Sequence, residues 1–130
     1  MQRLLWLLVL TPLVLVACST SVDSPSAQLA AHYGLHLTGR GTANSITIPD
    51  NLASATWDQI QYASRKAGFD LRPYRGQKLT VKSYPLKERF NGGPTTLNVI
   101  EHEGTVVGAY VIVEDEAGGT YSLPYVSGSS

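Results

Sequence analysis

The stretch TTLNVIEHEGTVVGAYVIV, residues 95–113, decides the fold because it carries two β-strands and the turn between them. Apolar and polar side chains alternate over residues 95–102, as they do in a strand with one buried face. Residues 105–113 are apolar at nearly every position, which is typical of a strand covered on both faces. Glu103-Gly104 suits a tight hairpin. The stretch therefore predicts two antiparallel neighbours, the second of them central.

Two further segments extend this pair. Residues 78–84 alternate apolar Leu79 and Val81 with Lys and Thr, which predicts a third strand joined through the loop at residues 91–94. Residues 121–125, after a glycine turn, predict an edge strand. The C-terminal half thus reads as an antiparallel meander.

A helix is predicted over residues 56–67. Thr56 and Gln59 have the spacing of a capping box, with Gly68 at the other end. One apolar stripe follows the helical repeat and should pack on the sheet; its members are Trp57, Ile60, Ala63 and Ala67. Gln61 falls on the opposite side and is expected to be exposed.

A shorter helix and two short strands are predicted before it. Ser26 caps residues 27–33, Gly34 ends them, and residues 35–37 and 46–48 alternate like strands. The fold class is therefore α+β: one main helix packed on a small antiparallel sheet, made of a three-strand C-terminal meander plus short N-terminal strands.

The N-terminus has the layout of a secretory signal, with Arg3 before an apolar run at residues 4–16. A thirteen-residue helix spans about 20 Å, short of a hydrocarbon core of roughly 30 Å. Leu15-Val16-Ala17-Cys18, the LVAC tetrapeptide, resembles the bacterial lipobox. This resemblance implies cleavage between Ala17 and Cys18 and a lipid anchor, with acyl chains such as palmitate, on the Cys18 thiol.

The resulting organisation has four parts. Residues 1–17 are expected to be a lipoprotein signal peptide, 18–27 a flexible Ser-rich tether, 28–125 a single α+β domain and 126–130 a disordered tail. The expected location is the extracytoplasmic face of the cell membrane. The membrane, reached through the lipid on Cys18, is the one partner the sequence indicates.

Charge argues against a nucleic-acid partner. Ten basic and ten acidic residues balance, and removing residues 1–17 takes away Arg3 and leaves nine basic against ten acidic. A nucleic-acid-binding domain normally shows a basic excess. The protein or envelope ligand stays open.

A further resemblance covers residues 31–110. Its residues are Tyr33-Gly34-Leu35, Ile48-Pro49 and the segment GFDLRPYRG at 68–76, followed by a strand, a hairpin and a small-residue strand. This pattern resembles the domain of unknown function 4830 (DUF4830) family, common in Gram-positive lipoproteins. The resemblance implies an envelope lipoprotein and no particular activity. The family tends to carry Gly and Asp where Ala109 and Tyr110 stand, so an acidic role at that place is not carried over.

No catalytic or metal-ligating set is expected. His32 and His36 have helical metal spacing, but Gly34 separates them, so both are interpreted as solvated histidines. Glu101-His102-Glu103 should alternate across a strand, with His102 opposite the two carboxylates. Residues 114–116 lack the pattern of a calcium loop. No cofactor is implied.

Two functions remain open. The favoured hypothesis is a non-enzymatic binding or interaction module at the membrane surface. The alternative is a small envelope enzyme, such as a hydrolase acting on cell-wall material. An apolar groove would favour the first, and a deep pocket joining His102 to two carboxylates the second. Four aromatic residues are candidates for a ligand cleft, although core and rim positions are commoner for such residues: Trp57, Phe69, Tyr74 and Tyr84.

Overall fold

The described chain runs through a short helix, a strand, the main helix and an antiparallel meander, as the sequence predicts, and ends in a helix that it does not predict. The structure is a computed structural model that describes residues 24–114 and 118–128. The elements are α1 (Pro25–His32), β1 (Thr42–Thr47), α2 (Ala55–Lys66), a 3-10 helix (Arg72–Tyr74), β2 (Lys78–Pro85), β3 (Thr95–His102), β4 (Thr105–Val113), β5 (Gly119–Tyr121) and α3 (Leu123–Ser127).

The five strands form one antiparallel sheet in the order β1-β2-β3-β4-β5. An antiparallel sheet with helices confirms the α+β class. The expected strand at residues 35–37 is reduced to a single bridge between Leu37 and Leu86. The predicted edge strand at 121–125 is largely wrong. β5 ends at Tyr121, and α3 begins because Ser122 accepts a hydrogen bond from the Tyr125 N–H and Pro124 suits a helix start.

The hairpin between β3 and β4 is confirmed. Glu103 and Gly104 both have positive φ, 51° and 82°, as a two-residue type I′ turn requires. Close to this turn the register shifts: Ile100 faces Gly108, whereas Glu101 faces Val106. Val107 is therefore an extra residue, which makes a β-bulge at this end of the sheet.

Two apolar cores lie on the two faces of the sheet, because alternate residues of β3 and β4 point to opposite sides. The first core joins the odd-numbered residues of β3 and β4 that lie beyond the bulge to α1 and α3, and contains Ala30, Leu35, Leu86, Leu97, Val99, Ala109, Val111, Val113 and Leu123. The second contains Ile48, Ile60, Ala63, Leu71, Leu79, Val81, Ile100, Val107 and Tyr110. β4 contributes to both cores, as its two-sided apolar sequence predicts.

The apolar stripe of α2 packs on the sheet, but it divides between the two cores. Trp57 and Ile60 belong to the second core, whereas Ala67 contacts the first. Ser64 explains this placement, because its Oγ donates to the Ala109 C=O (3.2 Å) and accepts from the Ala109 N–H (3.1 Å). α2 thus covers the part of the β4 edge that β5, which pairs from Val111 onward, does not reach.

The N-terminal caps of α1 and α2 both differ from the predicted ones. The capping box at Thr56 is wrong: α2 begins at Ala55 with Ser54 as N-cap, and no side-chain cap bond forms. The Ser26 cap is also wrong, since Ser24 caps α1 and its Oγ accepts from the Ala27 N–H. The earlier start places the first turn of α1 in the predicted tether. The C-terminal stops at Gly34 and Gly68 are confirmed by φ values of 70° and 92°.

The C-terminal boundary also differs. Val126 and Ser127, which the sequence assigns to the tail, belong to α3, and Val126 packs against the first core. Ala17 and Cys18 lie outside the described residues.

Candidate functional site

A groove with a volume of about 800 Å³ lies beside α1 and is called here the α1 groove. Its walls are α1, the segment that leads to β1, and one aromatic ring of β2. The lining residues are Ala27, Ala30, Ala31, Leu35, His36, Leu37, Gly39, Arg40, Gly41 and Tyr84. Most of these side chains are apolar, so the groove is an apolar surface with a polar rim.

The chain builds this groove by reversing after α1 and then binding to the end of β2. The Thr38 N–H donates to the Pro85 C=O (3.0 Å), and the Lys87 N–H donates to the His36 C=O (2.8 Å). Gly41 is required at the base, because a Cβ there would overlap the Tyr84 ring. The wall opposite α1 is therefore fixed by backbone contacts rather than by its own secondary structure.

His36 at the groove rim is exposed, as a solvated histidine should be, and it is also bound to Glu88. Its N–H donates to Glu88 Oε1 (2.9 Å), and its Nδ1 lies 2.6 Å from Oε2. Burial alone would raise the pKa of Glu88, but the hydrogen bonds from the His36 side chain and N–H outweigh it and lower that pKa below its ordinary value. Glu88 is therefore a carboxylate at neutral pH, and it fixes the position of His36 at the groove rim.

The cluster around His102 does not converge on a shared space. Glu101 is buried and its Oε1 lies 3.2 Å from Lys82 Nζ. The His102 ring lies against the Tyr74 ring in a tilted arrangement with centroids 5.3 Å apart, and its Nε2 lies 3.7 Å from Glu103 Oε1. The expected alternation is wrong for Glu103, because the hairpin turn swings it back toward the histidine. His102 borders neither the α1 groove nor the depression described below.

The segment GFDLRPYRG, residues 68–76 and called here the signature segment, passes from one core to the other. After Gly68, the Phe69 N–H donates to the Ser64 C=O (2.9 Å) and the Phe69 side chain packs on the first core. Leu71 is completely buried in the second. The segment therefore ties the end of α2 to both faces of the sheet.

Asp70 organises the signature segment through hydrogen bonds. Its Oδ1 accepts from Gln61 Nε2 (2.8 Å) and from the Arg72 N–H (3.0 Å), and its Oδ2 lies 2.7 Å from Arg72 Nη2. Gln61 Oε1 accepts from the Leu71 N–H (3.0 Å), so the expectation of a free surface Gln61 is wrong. The Arg72 side-chain hydrogen bond is the main cause that lowers the pKa of Asp70 far below its ordinary value.

The end of the signature segment is also bound internally. The Gly76 N–H, at φ 80°, donates to the Ile48 C=O (2.7 Å), and Arg75 Nε donates to the Arg72 C=O (3.1 Å). The place where the resemblance would put an acid holds Tyr110, which is buried and whose pKa burial raises. The signature segment thus has a structural role, which is to connect the end of α2 to the two cores.

The four candidate cleft aromatics are separated. Phe69 packs on the first core, Trp57 and Tyr74 pack on the second, and Tyr84 alone lines the α1 groove. The core-and-rim interpretation therefore fits three of them.

A second depression of about 380 Å³ lies between α2 and α3, and the sequence did not indicate it. Tyr62 and Tyr125 border it with exposures of 63% and 53%, and Lys66 Nζ lies 5.5 Å above the Tyr62 ring. Tyr125 stacks on Tyr121 at 5.7 Å. The helical spacing of Tyr62 and Lys66 was the available signal, but it does not show that α3 brings Tyr125 alongside.

The remaining sequence candidates are placed as follows. In residues 24–114 and 118–128, no group of three or more His, Cys, Asp or Glu could hold a metal ion. Of residues 114–116, the structure describes Glu114, which is exposed. Among the described helices, none is both long and apolar enough to cross a bilayer. Cys18, the expected lipidation site, and Ala17 lie outside the described part of the chain.

Comparison with known proteins adds a family. No curated protein and no solved structure matches the chain. Residues 29–111 match the family described as Domain of unknown function (DUF4830). This match takes in the wall of the α1 groove, the signature segment and most of the sheet. Because it covers well over half of the sequence, the chain belongs to the DUF4830 family.

Proposed function

We propose that this chain is a lipoprotein of the cell envelope, held by a lipid on Cys18 at the extracytoplasmic face of the membrane, and that its domain is a non-enzymatic binding module. The LVAC tetrapeptide after a short apolar run supports the anchor. α1 begins at Pro25, seven residues after Cys18, and such a tether spans at most about 25 Å. An anchored domain would therefore stay close to the bilayer.

The α1 groove is the observation that carries the binding proposal. Small-molecule sites typically occupy about 300–1,000 Å³ and combine an apolar lining with a few polar groups. The groove has about 800 Å³, walls of alanine and leucine, and His36 at its rim.

The ligand class follows from the lining. Ala27, Ala31 and Leu37 offer dispersion contacts and no hydrogen bonds, so they suit an unbranched apolar chain. The His36–Glu88 pair gives the rim a polar boundary. We therefore propose an amphiphile with an acyl chain in the groove and a polar end at the rim.

The alternative, an envelope hydrolase, requires polar groups that converge on one cavity. Glu101 turns to Lys82 while His102 turns to Tyr74 and Glu103, and His102 does not border the α1 groove. No observation on the described residues favours this alternative over binding.

Membrane fractionation tests the anchor. Cys18→Ala should release the protein from the membrane fraction or leave its signal uncut. Ser19→Ala, next to the same site, should stay in the membrane fraction. A Cys18→Ala protein with wild-type mobility and wild-type partitioning into detergent would contradict lipidation.

Titration with dansyl-labelled undecanoic acid tests the groove. The chain from residue 18, with Cys18→Ser, should enhance the dansyl fluorescence saturably. Ala31→Trp places an indole in the groove from an exposed helix position and should abolish the enhancement. Ala55→Trp, at the exposed start of α2, is the matched control and should bind normally. Equal binding by both variants would contradict the proposed site.

A further inference from the structure

The two edges of the sheet are treated differently. At the β4 edge, β5 and Ser64 of α2 bind the outward-facing backbone. At the other edge, β1 pairs with β2 alone, and Ile46 is its one residue that is not fully exposed. β1 has the sequence TANSIT, with no charge and no proline, so it lacks the usual devices that block edge pairing.

The outward-facing groups of β1 can be identified from its ladder. The Ile48 N–H donates to the Gln77 C=O (2.9 Å), so residue 48 points its backbone groups toward β2. In an antiparallel pair this direction alternates along the strand. Ala43, Ser45 and Thr47 therefore present their N–H and C=O groups outward, and no described residue pairs with them.

We infer that a second copy of this chain pairs with this edge, β1 to β1 and antiparallel, about a two-fold axis through Ser45. In this register Ser45 faces Ser45, and Ala43 faces Thr47 on both sides of the axis. All three outward residues then form hydrogen-bonded pairs, which gives about six hydrogen bonds. An interface of this symmetry must be self-complementary, and this one is.

Charge at the two ends of β1 favours a second copy of this chain as the occupant. Arg40 and Asp50 are exposed residues that flank β1, each five positions from Ser45. With the axis at Ser45, the antiparallel arrangement brings the end of β1 that carries Arg40 beside the end of the partner strand that carries Asp50, and symmetry repeats this arrangement. The charges that flank β1 therefore complement those of a second copy. An unrelated partner strand would need matching charges of its own.

The sheet would continue across the axis without a steric obstacle within β1. Side chains brought face to face by this register are small or uncharged, namely Ala43 with Thr47, Asn44 with Ile46, and Ser45 with itself. Like charges directly opposite, which destabilise cross-strand pairs, do not occur there. The inference does not rest on the proposed ligand or on the lipid anchor.

Disulfide trapping tests this pairing in the full chain. Opposite residues of a hydrogen-bonded antiparallel pair have Cα atoms about 5.5 Å apart, within the range for a disulfide. Ser45→Cys should give a covalent dimer under mild oxidation with copper phenanthroline. Ala43→Cys lies on the same face and is also exposed, but its own copy lies several residues away, so it should stay monomeric. A mixture of Ala43→Cys and Thr47→Cys chains should cross-link to each other.

The wild-type chain, with Cys18 as its one cysteine, is the baseline for these yields. No more dimer from Ser45→Cys than from wild type would overturn the inference. Equal dimer from Ser45→Cys and Ala43→Cys would also overturn it, because that result indicates random collision.

Analytical sedimentation of chains without an introduced cysteine gives a second measurement. Ser45→Pro removes an N–H that points away from β2, so the monomer should keep its fold. The wild-type chain should sediment as a dimer and Ser45→Pro as a monomer with unchanged circular dichroism. A wild-type monomer, or a Ser45→Pro dimer, would contradict the pairing.

Discussion

The signature segment makes its contacts within the domain and is called here the closed region. The surface formed by the α1 groove and β1 leaves groups without contacts in the domain and is called here the open region. In the signature segment, Asp70 and Leu71 are both hydrogen-bonded to Gln61 of α2, and Leu71 fills the second core. Around α1 and β1, the chain leaves an apolar groove and a strand edge with outward backbone groups. The polar groups of the first region are bound within the fold, whereas the second leaves apolar side chains and backbone groups open. The family motif therefore maintains the fold, and the proposed binding surfaces lie outside it.

The largest expected loss of stability comes from truncating a buried side chain of the closed region. Leu71→Ala removes a side chain that is fully buried, and should lower the free energy of unfolding by about 3–5 kcal/mol in urea denaturation. Leu37→Ala, in the wall of the groove and only half-buried, is the matched control and should cost clearly less. If the two variants lose equal stability, the contrast between the regions is wrong.

The polar contacts of the closed region should have a smaller effect. Gln61→Ala leaves the Leu71 N–H without a partner and removes one of the hydrogen bonds to Asp70, so it should cost about 1–2 kcal/mol of unfolding free energy. Gln59→Ala, exposed on the same helix, should be nearly neutral. A neutral Gln61→Ala would return this residue to the surface role that the sequence suggests.

Acid should weaken the hydrogen bonds that Asp70 makes in the signature segment. The pKa of Asp70 is lower in the folded chain than its ordinary value of 3.8, so its stabilising effect is complete above that pH and is lost as the pH falls through the folded pKa. Thermal melting below about pH 4 should therefore show a steeper loss for wild type than for Asp70→Asn. Parallel pH profiles would show that the Asp70–Arg72 contact adds nothing to folding.

The smallest effect is expected at the start of α2. Thr56 is exposed and lies inside the first turn, so Thr56→Ala should change the unfolding free energy by less than about 0.5 kcal/mol. A loss near 1 kcal/mol in urea denaturation would instead restore the capping box that the sequence indicates.

Local patterns predict the strands of this domain and fail where distant residues meet. Residues 78–113 alternate or cluster by side-chain type, and those patterns suffice for β2, β3, β4 and the hairpin. Gln61 is polar on an exposed-looking helix face, yet its partners come from the segment that folds back after Gly68. Its contact with Asp70 depends on that reversal, which helical periodicity does not describe.

The open region was harder to foresee. His36 and Glu88 are 52 positions apart, and the groove forms because α1 and Gly41 meet Tyr84 across a similar distance. The edge position of β1 depends on the order of all five strands. None of these features has a signature in neighbouring residues.

Chemical-shift mapping tests the central claim, that this domain binds ligand where its contacts are open. Lauric acid would be titrated into the ¹⁵N-labelled chain from residue 18, with Cys18→Ser, and amide shifts followed by NMR. Changes should concentrate at Ala27, Ala31, residues 35–41 and Tyr84, while the signature segment at 68–76 stays still. Shifts centred on the signature segment, or no saturable shifts at all, would contradict the account.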